Sequence, residues 1–211
     1  MQKLTKLAFF ALIVKPLVFV VLGLNLRGRD QLPAGGPAII AANHNSHLDV
    51  LVLMSLYPLR QLASVRPIAA ADYFFKNRWL KWLALNCIDI IPIERQAPNL
   101  KHIFDTANAA LDAGNILIIF PEGSRGEPEK IGKIKKGLFY MLQGRSDTPV
   151  TPVFMHGLGR ALPRGTALFV PFNCDVIIGE ALQTATDANA FVAQLERCFS
   201  RLAEYCITRS R

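Results

Sequence analysis

Apolar residues come along this chain in short runs separated by polar, Gly- and Pro-rich turns. The run Ala38-Ile39-Ile40-Ala41-Ala42 has the length and flanks of a buried strand. A polar septet, Asn43 to Asp49, follows it, and a second apolar run over 49–57, stopped by Pro58, reads as a helix. The pattern then alternates. A strand is expected over 63–70, interrupted by Pro67, and an aromatic, basic helix over 74–86, with Trp79 and Trp82. A β-branched strand follows over 88–93. Helical spacing over 99–113 puts Leu100, Ile103, Phe104, Ala107 and Leu111 on one face, with Gly114 closing the helix. Residues 116–120 read as another buried strand. Past Val150 the chain becomes strand-rich, over 150–155, 167–170 and 175–178. A last helix over 188–207 has Phe191, Leu195, Phe199 and Leu202 on its inner face. Strands alternating with helices predict an α/β fold, with a mixed, largely parallel central sheet flanked by helices.

Residues 1–26 break this rhythm. Two apolar stretches, 7–14 and 17–24, are split by Lys15-Pro16. A spanning helix needs about 20 apolar residues. A lysine near its centre costs about 2.5–3.5 kcal/mol on insertion scales, and Pro16 kinks or breaks the helix. Lys3 and Lys6 ahead of an apolar run resemble a signal peptide, but no Ala-x-Ala-type site follows and Arg27 and Arg29 close the segment. The expectation is a membrane-associating pair of short helices lying in one leaflet, with Lys15 snorkelling to the headgroups. A single tilted span, or a helical cover for the core, are the alternatives. The division expected is 1–26 for this segment and 27–211 for one catalytic domain, since 211 residues suffice for one well-buried domain and not for two of typical size.

Composition narrows the class. The apolar fraction is 51% and the net charge +8, and the mean hydropathy is +0.26. Positive charge suits nucleic acid, an anionic membrane or a phosphorylated substrate, and its pairing with high apolarity favours the membrane surface. Nucleic acid is excluded as a partner, because no nucleic-acid motif or regular basic helix appears. Cys87, Cys174, Cys198 and Cys206 form no Cys-x-x-Cys pair and no regular framework, so neither zinc nor disulfides are expected, and reduced thiols in a cytoplasmic setting are the default.

The candidate chemistry starts at Asn43-His44-Asn45-Ser46-His47-Leu48-Asp49. Imidazole takes a proton from an alcohol near neutral pH, and does so better when a carboxylate fixes its tautomer and stabilises the imidazolium. Residues five apart on one continuous helix diverge by about 140°. His44 and Asp49 meet only if the loop turns His44 back towards a helix that starts near Ser46. Ser46-x-x-Asp49 also reads as a capping box, with Ser46 as N-cap. Further on, Phe120-Pro121-Glu122-Gly123-Ser124-Arg125-Gly126 leaves the C-terminal end of a strand, where open α/β sheets form their ligand crevice. Arg125 offers a planar fork suited to phosphate, Glu122 a partner for an acceptor hydroxyl or for Arg125, and Gly123 and Gly126 a close backbone approach. Arg95, just past a strand, is a second phosphate candidate. Lys130, Lys133, Lys135 and Lys136 rank below the two arginines.

Asn43-His44-x-x-x-x-Asp49 resembles the first block of the glycerolipid acyltransferases, the PlsC-like 1-acylglycerol-3-phosphate acyltransferases. Ile91-Pro92-Ile93-Glu94-Arg95 is similar to the second block, Phe120 to Arg125 to the third, and Val150-Thr151-Pro152-Val153 to the fourth. The order is the family's. Glu94 stands where Asp is more usual and Ser124 where Thr is.

The resemblance implies an O-acyltransferase that moves a fatty acyl group from acyl-CoA or acyl carrier protein to the free hydroxyl of a lysophospholipid, foremost 1-acylglycerol-3-phosphate. It implies no metal or redox cofactor, membrane phospholipid and lysophospholipid as partners, and a place at the cytoplasmic face of the inner membrane. His44 and Asp49 are the expected catalytic pair. Arg95, Glu122, Gly123, Ser124, Arg125 and Lys135 are expected to bind substrate, with Asn43 and Pro152 in support, Pro152 by shaping a crevice wall. Two rivals of other classes are a metal-dependent hydrolase using His44, His47 and Asp49, and a non-catalytic membrane-surface binder.

Overall fold

The N-terminal residues form one helix. In the computed structural model, which describes residues 2–74, 77–93, 103–127, 129–161, 173–183 and 185–209, the helix Gln2–Val21 runs straight through Pro16. Proline deletes one backbone donor and crowds the preceding turn. The helix accommodates this by widening to π geometry over Phe10–Val14 and Leu17–Val21. It is long and apolar enough to cross a membrane by length and composition. One side nevertheless packs on the protein, where Phe10, Val14 and Val18 are buried in the core. The other side is bare, with Leu12 76% and Val20 82% exposed.

Lys15 does not reach for headgroups as expected. Its Nζ donates to the carbonyls of Ser55 at 2.6 Å and Tyr57 at 2.8 Å, capping the end of the helix Leu48–Ser55, where a cation meets unpaired carbonyls and the negative pole of the dipole. Lys6 is buried, donates to the Val65 carbonyl at 2.8 Å and lies 3.5 Å from the Asp89 carboxylate.

Among the described residues seven strands follow: β1 (Gly23–Arg27), β2 (Ala38–Ala42), β3 (Val65–Ala70), β4 (Ile91–Ile93), β5 (Ile116–Ile119), β6 (Val150–His156) and β7 (Asn173–Ile178). They form one sheet in the order β1-β7-β6-β2-β5-β3-β4. Of these neighbours only β6 and β7 pair antiparallel, so the sheet is mixed and largely parallel, as the alternation of elements predicts. β1 pairs with β7 from Gly23, so it straddles the expected division at residue 26. β2 is buried along its whole length. Its side chains alternate: Ile40 and Ala42 join the core under the N-terminal helix, while Ile39 and Ala41 join the core on the other face. That second core is closed by the helices Asp105–Asp112 and Ala188–Ala203. The latter starts where Asp187 accepts from the amides of Asn189 and Ala190, and it ends four residues short of the expected 207.

Other boundaries shift for local reasons. The helix expected over 74–86 is Arg78–Leu83, capped by Asn77 Oδ1 on the Trp79 amide at 2.8 Å, and it continues as a π turn over Ala84–Ile88. Asp89 adopts a left-handed conformation at φ 63°, with Lys6 and Arg66 on its carboxylate. It ends that turn and leaves β4 only three residues. The strand expected over 167–170 lies outside the described residues, as do residues 99–102 of the expected 99–113 helix.

Past the last helix, Thr208 fastens the chain end to the sheet. Its amide and hydroxyl donate to Asp175 Oδ2 at 2.8 and 2.6 Å, and the hydroxyl also meets His156 Nδ1 at 2.6 Å. His156 is thus engaged by Thr208 at its Nδ1 and lies 3.5 Å from the Glu129 carboxylate at its Nε2.

Phe199 is fully buried against Phe154, ring centroids 6.4 Å apart. Phe199→Ala should lower the unfolding free energy by about 3–5 kcal/mol, read from denaturant unfolding followed by circular dichroism.

Candidate active site

The turn between β2 and the helix Leu48–Ser55 is built around one buried carboxylate. Asp49 has no exposed surface. Its Oδ2 accepts from His44 Nδ1 at 2.8 Å, from the Asn45 amide at 2.7 Å and from the Ser46 amide at 2.8 Å. The loop thus folds His44 back over the helix start, as the pairing requires. With Nδ1–H engaged by the carboxylate, Nε2 is the ring nitrogen left with the lone pair. The helix begins at Leu48 with His47 in the N-cap position and no side-chain cap there. The expected Ser46 N-cap is therefore corrected. The Asp49 half of the capping box is present, while Ser46 Oγ accepts only from the Leu48 amide, at 3.3 Å.

The first and third sequence blocks meet around His44, and β6, the strand of the fourth, anchors the loop through Met155. Asn43, buried, grips the backbone of Met155 on β6: its Nδ2 donates to the carbonyl at 2.8 Å and its Oδ1 accepts from the amide at 2.6 Å. Asn45 Nδ2 donates to the same carbonyl. The His44 amide donates to Glu122 Oε1 at 2.8 Å, and the Gly132 amide to Glu122 Oε2 at 2.8 Å. A Cβ at Gly132 would collide with that carboxylate. The His44 ring stacks on Phe120, centroids 4.1 Å apart and planes 21° apart. Phe120 is the first residue of the third sequence block. An apolar residue ending a buried strand gives no signal of such a contact.

A cavity of about 540 Å³ opens beside His44. Its polar end holds His44, His47, Ser124, Arg125 and Lys135, and its walls are apolar, among them Ile68, Leu80, Leu83, Ile90 and Phe104. Gly123 lines it with φ 73°. A Cβ there would press on the Lys135 side chain, which lies across the glycine. The Gly123 amide is committed to the Phe120 carbonyl at 2.9 Å, so it is not a spare donor for an oxyanion. His47 sits at the rim, where desolvation, then the charge of Arg125, then His44 push its imidazole down to about 4. Arg125 and Lys135 bring cations to this lining, which also includes Asp72.

Several expectations are met differently. Glu122 does not face the cavity: both its oxygens serve backbone amides, and it braces His44 rather than presenting itself to a hydroxyl. Pro152 lies buried within β6 opposite Ala41 and forms no part of the cavity wall. Arg95 and Glu94 lie outside the described residues. Among the described residues no group of three or more His, Cys, Asp or Glu is arranged to hold a metal ion, so His44, His47 and Asp49 are not a ligand set.

The sheet and the loop define an α/β protein with an acid-braced imidazole at the mouth of an apolar cavity. Residues 23–156 match the model of the Acyltransferase family, and the chain belongs to that family. The chain is 28% identical over 145 residues to a chloroplastic 1-acyl-sn-glycerol-3-phosphate acyltransferase of Arabidopsis thaliana, covering 68% of this chain and 38% of that one. It is 27% identical over 168 residues to the 1-acyl-sn-glycerol-3-phosphate acyltransferase of Bacillus subtilis, covering 79% and 77%. The matched region spans about two fifths of the chloroplastic relatives' length. The crystal structure of the 1-acyl-sn-glycerophosphate acyltransferase PlsC from Thermotoga maritima shares the fold, with a TM-score of 0.75 at 20% identity over 95% of this chain and 80% of that one.

Burial pushes the Glu122 carboxyl above its ordinary value of 4.5, against the downward pull of its two amide hydrogen bonds. The native state therefore holds the proton more tightly than the unfolded chain. Between 4.5 and the raised folded value, this residue's contribution to stability falls as pH rises. Glu122→Gln sets an amide donor against one of the two backbone donors. It should lower the unfolding free energy by about 1–3 kcal/mol at neutral pH and flatten the pH dependence in that window, both read from denaturant unfolding across pH.

Proposed function

We propose that this protein is a membrane-associated O-acyltransferase that moves a fatty acyl group from acyl-CoA or acyl carrier protein to the free hydroxyl of a lysophospholipid, with 1-acylglycerol-3-phosphate as acceptor and phosphatidic acid as product. The observation that carries this reading is the His44–Asp49 pair, 2.8 Å apart, opening on an apolar cavity whose polar end holds Arg125 and Lys135. The names of its relatives point to the same acceptor.

In this reading His44 Nε2 takes the proton from the acceptor hydroxyl, while Asp49 holds the ring and stabilises the imidazolium. The hydroxyl oxygen attacks the thioester carbonyl and forms the ester C–O bond. The tetrahedral intermediate collapses with cleavage of the C–S bond, and His44 returns its proton to the departing thiolate. The thiol leaves readily, so no acyl-enzyme is needed. Arg125 and Lys135, with Arg95, hold the acceptor's phosphate, and the apolar walls take the acyl chain. The bare side of the N-terminal helix and the net charge of +8 hold the enzyme to the cytoplasmic face of an anionic membrane.

The test incubates the protein with an acyl thioester and a panel of lysolipids, following thiol release and product mass. His44→Ala should lower kcat by about 10²–10⁴-fold. Asp49→Asn should lower it by up to about 10⁴-fold, with retention of fold checked by circular dichroism. Full product formation by His44→Ala would refute the assigned base, and absence of transfer to every lysolipid would leave a membrane binder. Arg125→Ala should raise the acceptor KM by about tenfold to a hundredfold while changing kcat less. Equal loss with an acceptor lacking phosphate would remove Arg125 from the phosphate site.

A further inference from the structure

The chain has two tryptophans, and both stand on the six-residue helix Arg78–Leu83 with their side chains in solvent: Trp79 is 83% exposed and Trp82 52%. Three residues apart, they share one side of the helix. Arg78 and Lys81 are exposed beside them, and the helix, Arg-Trp-Leu-Lys-Trp-Leu, contains no acid. Its remaining two residues, Leu80 and Leu83, line the cavity beside His44. The helix runs on into the π turn Ala84–Ile88, which packs against the N-terminal helix, with Gln2 Nε2 donating to the Leu85 carbonyl at 2.5 Å.

Two exposed indoles leave large apolar areas in water. Indoles next to cations, without acids, match one environment well. The headgroup–acyl boundary of an anionic bilayer accepts the ring's apolar body and polar edge, and its phosphates meet the cations. The N-terminal helix, against which the following π turn packs, also offers Leu4, Leu12 and Val20 to solvent.

We propose that the helix Arg78–Leu83 is a second, separate contact with the bilayer, in which Trp79 and Trp82 sink into the interface of an anionic membrane while Leu80 and Leu83 form the cavity wall behind them. This rests on the reading of the protein as acting on membrane lipid. It places one thickness of helix between the lipid and the cavity.

Because the chain has no other tryptophan, tryptophan emission reports on this helix alone without any substitution. The probe is vesicles of equimolar phosphatidylcholine and phosphatidylglycerol, with bromine at shallow or at deep acyl carbons, and no acyl donor present. The expected result is co-sedimentation, a blue shift of the emission, and stronger quenching by shallow than by deep bromine. Trp79→Ala/Trp82→Ala, at two exposed positions and with retention of fold checked by circular dichroism, should weaken partitioning by about tenfold or more. Sedimentation with unshifted, unquenched emission overturns the proposal, as do failure to sediment, stronger quenching by deep bromine, and wild-type partitioning of the double variant. The assay is independent of turnover. Quenched tryptophans in a protein without acyl transfer would leave this contact standing and remove the activity; unquenched ones in an active enzyme would do the reverse.

Discussion

One buried oxygen, Oδ2 of Asp49, sets the conformation of the loop that carries His44. A carboxylate without exposed surface is costly unless donors surround its charge. Here the donors are two backbone amides and an imidazole, all within 2.8 Å. The two amides can converge only if the chain after β2 makes its turn, and once it has, His44 has a single place to go. The same contacts that make the buried charge tolerable aim the ring. Phe120 stacked on the other side removes the rotation that would remain.

Around this turn the blocks act as mutual braces. Asn43 ties the loop to β6, and Glu122 ties it to the segment after β5 and to Gly132. β5, β2 and β6 are neighbours running in the same direction, so segments far apart in sequence leave the sheet on the same edge. A cluster with sites on three strands needs no long side chains to assemble, because the parallel sheet brings the ends together.

The large features of the fold were legible in the residues. Alternating apolar runs and helical faces marked the parallel strands and their crossovers, and Phe191, Leu195, Phe199 and Leu202 marked the buried side of the last helix. The His44–Asp49 contact was legible as a condition: a spacing of five works only across a loop, and a loop is there. The partners of Glu122 were not. Both are backbone amides, which carry no side-chain signal, so an acid in a Gly-rich turn looked like a ligand for substrate. Lys15 misled for a similar reason. A lysine in an apolar stretch reads as a snorkelling residue, because the carbonyls it caps belong to a helix some forty residues away. Asp89 hid the boundary between the π turn and β4, since its left-handed backbone is held by Lys6 and Arg66 from elsewhere in the chain.

The helix through Pro16 has a practical consequence for anyone handling the protein. Phe10, Val14 and Val18 are part of the hydrophobic interior, and Lys6 and Lys15 are stitched to carbonyls at the ends of neighbouring elements. A shortened version designed to dispense with detergent by cutting before Gly23 would strip the roof from one side of the sheet and bare the underlying valines and isoleucines. Solubility gained at one surface would be lost at another, so the leading helix has to be treated as masonry as much as mooring.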